Sequence, residues 1–104
     1  MNNKSLKLID STYSASDAKV VLVSLLEDKI NFLCGRRFSR LERNDGDCSH
    51  LDRRIEELKR DKEELIQFLQ GMENENANFE ISCDINLKQV ENNALTNLVE
   101  EALV

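Results

Sequence analysis

From Leu51 to Met72 one set of positions recurs in steps that alternate four and three: Leu51, Ile55, Leu58, Lys62, Leu65, Leu69 and Met72. Only an α-helix brings side chains at that spacing onto one face, and a narrow apolar seam of this kind needs a second helix to cover it, as in a coiled coil. Opposite charges one turn apart, Glu56 with Arg60 and Lys59 with Glu63, support the same helix on its outer faces.

The covering helix lies upstream. Ser14-Ala15-Ser16-Asp17 reads as a helix start, because Ser14 can accept from an orphan backbone N–H and Asp17 suits the positive helix end. Beyond it Ala18, Leu22, Leu25, Phe32 and Leu33 form one stripe, widened by Val21 and Leu26. Gly35 interrupts at about 1 kcal/mol relative to Ala, yet apolar spacing resumes at Phe38 and Leu41. Asn44 to Cys48 is the clearest turn, and Ser49-His50-Leu51-Asp52 repeats the start signal. Two helices with so short a joint pack antiparallel. The second-helix seam is therefore expected against Leu22, Leu25, Phe32 and Leu33.

The flanks have a different period. Phe79, Ile81, Cys83, Ile85 and Leu87 alternate with Glu80, Ser82, Asp84 and Asn86, which predicts a half-buried strand. A single strand leaves its backbone unsatisfied, so its partner is sought around Leu6–Tyr13. There Leu6 to Ile9 reads as strand, and Asp10 to Ser14 as a connector. Gly71 to Asn78 is polar, and the second helix is expected to fray there. Val90 to Val104 has a weak helical pattern through Leu95, Leu98, Val99 and Ala102. The predicted fold is α+β and helix-dominated: an antiparallel two-helix hairpin flanked by two short strands. One domain spans 1–88, and 89–104 forms an acidic tail or short helix. A length of 104 residues suits one such domain.

Charge narrows the function. Residues 1–34 and 35–70 are each balanced, so the net −6 sits in residues 71–104, where Lys88 stands against seven acids. That distribution disfavours nucleic acid or an anionic membrane as a general partner. No stretch approaches the roughly 20 apolar residues of a membrane span, and Met1 to Leu8 holds no apolar run of signal-peptide length. Three cysteines, Cys34, Cys48 and Cys83, match no zinc spacing. Their odd number in a short chain suggests a reducing compartment, and a cytoplasmic location is expected.

Chemistry-bearing motifs are sparse. Asp45, Asp47, Ser49, Leu51 and Glu56 fall at calcium-loop positions, but His50 stands where the sharp turn needs Gly, and Arg53 and Arg54 oppose a cation. Cys48 and His50 lie two apart at a helix start and point to different sides. With one His, three Gly and no phosphate loop or Ser/His/Asp set, no enzyme, metal site or cofactor is expected. Lys29 and Lys62 fall within the seams, where such a side chain commonly covers apolar neighbours with its stem and keeps its ammonium wet.

Two functional readings follow. Arg36, Arg37, Arg40 and Arg43 precede the turn and Arg53 and Arg54 follow it. All six gather at one end of the hairpin and could meet a phosphate or an acidic partner. Glu42, Asp45, Asp47 and Asp52 lie near enough to neutralise them. The favoured reading is a structural or protein-interaction module acting through helical packing. The first helix carries more apolar surface than one helix covers, so a homodimer or another protein partner is expected, with Val21, Leu26, Ile30 and Leu33 as the self-association set.

Overall fold

The computed structural model of the chain describes residues 2–43 and 46–90. The expectations for Asn44, Asp45 and 91–104 lie outside the described residues. Four elements follow in order: β1 (Asn3–Ser14), α1 (Ala15–Glu42), α2 (Ser49–Glu73) and β2 (Asn78–Lys88). They form an antiparallel helical hairpin and a two-stranded antiparallel ribbon, a helix-dominated α+β fold. No helix among the described residues is long and apolar enough to cross a membrane.

The hairpin core is Ile30 and Leu33 of α1 against Leu51, Ile55 and Leu58 of α2, with Leu26 packed on it. A second buried group, Ala15, Ala18 and Leu69, lies toward the other end. The α2 seam matches its rhythm, with Leu65 and Met72 half-buried between and beyond these groups. On α1 the expected facing is corrected: Leu25 and Phe32 point outward, and Ile30 and Leu26 turn inward in their place. The helix carries two overlapping stripes. One runs through Leu22, Leu25, Lys29 and Phe32, the other through Leu22, Leu26, Ile30 and Leu33. Burying the first would bury Lys29, which is costly without a partner. The second excludes the lysine, whose ammonium lies 5.7 Å from the Phe32 ring centroid.

Side-chain oxygens support both helix starts. Ser14 Oγ accepts from Asp17 N–H at 3.1 Å, as the start signal predicts. At α2 the acceptor is not Ser49 but Asp47, one residue before the boundary residue Cys48. Its carboxylate accepts from Ser49 N–H at 2.9 Å and from the Ser49 hydroxyl at 2.7 Å. Asp readily bonds a backbone N–H two residues on, and Ser49 is already inside the helix. Gly71 does not end α2, which continues to Glu73. The chain then reverses through Asn76 at φ 54, a left-handed conformation that Asn tolerates better than most residues.

The expected connector Asp10–Ser14 is strand. It pairs with Asn78–Ser82, from Asp10↔Ser82 to Ser14↔Asn78. A paired backbone overrides the weak strand propensity of Asp and Ser. Leu8 is bulged out of register between Lys7↔Asp84 and Ile9↔Cys83. The bulge shifts the side-chain phase by one. Lys4 and Leu6 then share a face with Ile9, Ser11 and Tyr13, opposite Leu87, Ile85, Cys83, Ile81 and Phe79. One ribbon face is thus mostly apolar and the other polar. Ser14 ends the strand and caps the helix at φ −64, ψ 160, and Ala15 N–H donates to Ala77 C=O at 3.1 Å.

The shape is extended. The 28-residue α1 spans about 42 Å and the 12-residue β1 about 40 Å, yet the molecule measures 51 × 33 × 15 Å. Ribbon and hairpin therefore meet at an angle within a slab little thicker than one helix. The radius of gyration is 17.1 Å, against about 13 Å for a compact chain of this length.

Two stability outcomes test this packing. Leu33→Ala is expected to lose about 2–5 kcal/mol as a large-to-small core change, whereas Phe32→Ala changes stability by about 1 kcal/mol or less. Urea denaturation of both variants checks the choice of stripe, and equal losses would contradict it. A methyl group at Gly35 would meet only open space, and the backbone there has no positive φ. Gly35→Ala is therefore expected to stabilise by about 0.5–1 kcal/mol, seen as a raised thermal midpoint.

Candidate interaction surface

The hairpin tip holds the arginines, and the structure divides them rather than forming one cradle. Arg37 Nε donates across the hairpin to Asp52 Oδ1. That hydrogen bond, and then the Asp52 charge, hold the Arg37 pKa above its ordinary value. Arg36 lies over the Phe32 ring, 5.5 Å from its centroid. Arg54 reaches Glu57 at 3.1 Å, one turn along the same helix. Arg53 sits 3.4 Å from His50 Nδ1. Arg40 is half-buried within electrostatic reach of Asp47, and Arg43 closes α1 through its backbone N–H to Ser39 C=O. A phosphate at the tip would share Arg37 and Arg54 with the carboxylates of Asp52 and Glu57.

Two more cross-helix ion pairs run down the hairpin. Lys62 Nζ meets Glu27 Oε1 at 3.8 Å and Lys19 Nζ meets Glu73 Oε1 at 2.9 Å. Lys62 therefore does more than cover apolar neighbours, because its ammonium leaves the seam toward a carboxylate. Both pairs are partly solvated, which limits their contribution to about 1 kcal/mol or less each.

Apolar surface is the larger feature. Of the self-association set, Leu33 is 0% exposed, Ile30 lies in the same core, Leu26 packs against it and Val21 is half-buried. Ile30 and Leu33 are taken up by the hairpin, so the expectation that they face a second copy is corrected. The outward apolar side chains are instead Val20, Leu25, Phe32, Phe38 and Leu41 on α1 and Phe68 on α2. Sequence reasoning placed Leu25 and Phe32 inside because it chose the wrong one of two stripes. A shallow groove of about 310 Å³ follows the helix pair, lined by Val20, Val23 and Ile66 with Lys19, Ser24, Glu27 and Gln70.

The ribbon adds a second open face. Leu6 and Leu87 are exposed, and Phe79, Ile81, Cys83 and Ile85 are only half-buried. Contact with the helices is close at the base, where the Phe68 and Phe79 rings lie 5.7 Å apart at 59°. Toward Leu87 the apolar face opens to solvent.

The Asp47 carboxylate sets a pH dependence. Hydrogen bonds from the Ser49 hydroxyl and then the Ser49 N–H lower the Asp47 pKa from 3.8. A folded-state pKa below the unfolded one stabilises above the unfolded value, and that stability is lost as pH falls through the folded value. Asp47→Ala is expected to lower the urea midpoint near neutral pH. The gap from wild type should close as pH drops below 3.8, and a gap independent of pH would contradict this role of Asp47.

Compared with family models, curated proteins and solved structures, the chain matches none of them.

Proposed function

We propose that this chain is a protein-interaction module that works by self-association, with a homodimer as its simplest state. One observation carries the reading: a slab 15 Å thick leaves apolar residues of both the helices and the ribbon in water. Single exposed apolar residues are ordinary on monomers. Here they accompany a thin shape and a two-stranded ribbon, an element that is marginal alone. A second copy supplies the missing layer, and twofold symmetry is the commonest closed arrangement.

The anion-binding reading of Arg36, Arg37, Arg40, Arg43, Arg53 and Arg54 stands second, since Asp52 and Glu57 already occupy two of them. Salt separates the two. Phosphate binding weakens steeply as salt rises, whereas association through apolar side chains and strand edges responds little. We place the protein in the cytoplasm, a reading that rests on the odd count of three cysteines.

Sedimentation equilibrium across micromolar concentrations tests the proposal. The expected mass rises toward twice 12.0 kDa and changes little between low and high salt. A mass that stays at 12.0 kDa throughout would sink it.

A further inference from the structure

The self-association reading leaves open which surface meets the second copy, and backbone polarity along the ribbon answers it. At one end Ala15 N–H donates to Ala77 C=O at 3.1 Å, and at the other Gln89 N–H donates to Asn2 C=O at 3.0 Å. In an antiparallel ladder, residues alternate between facing the partner strand and facing away. On the β2 side both end bonds use odd-numbered residues, and the one irregularity lies in β1. Odd residues of β2 therefore bond to β1, and the N–H and C=O groups of Asn78, Glu80, Ser82, Asp84, Asn86 and Lys88 point outward. Among the described residues no other backbone group meets them.

The two edges of the ribbon are not equivalent. β1 carries the Leu8 bulge, Lys4, and the Lys7–Asp10 ion pair at 3.4 Å. Bulges and lysines are the devices that blunt an edge. β2 has no bulge and no proline, and its one lysine is at its end.

We propose that the outer edge of β2 pairs antiparallel with the same edge of a second copy, giving a four-stranded sheet in the order β1-β2-β2-β1 with Cys83 on the twofold axis. Three constraints select this register. Pairs must be odd with odd, because a one-residue slip sets the apolar face of one ribbon beside the polar face of the other. Cys83 is the midpoint of Asn78–Lys88, so centring there uses the whole strand. Charge supplies the third. Centring on Cys83 sets Asp84 opposite the other copy's Ser82, Glu80 opposite Asn86, and Lys88 opposite Asn78 with Glu80 on the diagonal. Centring on Ser82 sets Asp84 against Glu80 twice, and centring on Asp84 sets that residue against itself. In the chosen register the two Asp84 carboxylates remain diagonal neighbours about 7–8 Å apart on the solvent face, where water and salt screen them. The outward even-numbered residues form the hydrogen-bonded pairs. The two Cys83 residues form a non-hydrogen-bonded pair, whose Cα atoms lie about 4.5 Å apart, within the range a disulfide spans.

The test uses the full chain and the thiol oxidant diamide, which takes two protons and two electrons from two thiols as they join. Exposure alone favours Cys34, the exposed thiol, over half-buried Cys83 and buried Cys48. The edge pairing instead yields a covalent dimer whose linked peptides both contain Cys83, and Cys83→Ser abolishes it. As a second measurement, Asn86→Lys faces Glu80 of the other copy and tightens the dimer about two- to tenfold, and Asn86→Glu weakens it by a like factor. A 12.0 kDa mass at all concentrations overturns both this pairing and self-association. A dimer linked through Cys34, or one indifferent to the charge at residue 86, overturns the β2 edge alone.

Discussion

The cluster of Ile30, Leu33, Leu51, Ile55 and Leu58 is what the other parts of the fold lean on. Both helices are long, but an isolated helix draws little stability from propensity alone. The seam between them provides it. Once those five side chains are buried, the axial register of the hairpin is set, and Arg37 with Asp52, Glu27 with Lys62 and Lys19 with Glu73 fall opposite one another. The ion pairs are partly solvated and weak singly. Together they favour this register, since no slip of one turn keeps all three pairs. The same registration brings Ser14 beside Asn78 and lets the ribbon begin.

Much of this is legible in the residues. The four-three rhythm of α2, the Ser14 cap and the alternation of Phe79–Leu87 each name one local structure, because no competing pattern overlaps them. The failures share a cause. On α1 two apolar stripes overlap, and choosing between them requires knowing that Lys29 must stay wet while Ile30 takes its place. In Asp10–Ser14 the strand exists because Asn78–Ser82 offers it a ladder, a non-local benefit that local composition does not encode. At the start of α2 Ser and Asp both suit the capping role, and only the geometry assigns the acceptor to Asp47.

For the site, the arginines lie near the hairpin tip, at the end of α1 and the start of α2. Which of them carboxylates claim depends on side-chain reach rather than on spacing. The self-association set inherits the α1 error, so Ile30 passes from expected surface to core, and Leu33, expected both in the seam and in that set, lies in the seam. The outer edge of β2 becomes readable only with the Leu8 bulge in view, because the bulge distinguishes one edge of the ribbon from the other.

Ser14 is both the last residue of a strand and the cap of a helix, with no loop between. Mechanically, ribbon and hairpin are then two arms of a bell crank with a one-residue elbow. A change of about 10° in backbone torsion there would swing the far end of the 28-residue helix by roughly 7 Å. The second chain crossing resists that swing, since Ala77 holds Ala15 by a backbone hydrogen bond. A torque applied to the ribbon therefore reaches the arginine tip through stiff elements, and the angle between the arms is the quantity a binding partner would have to accept or bend.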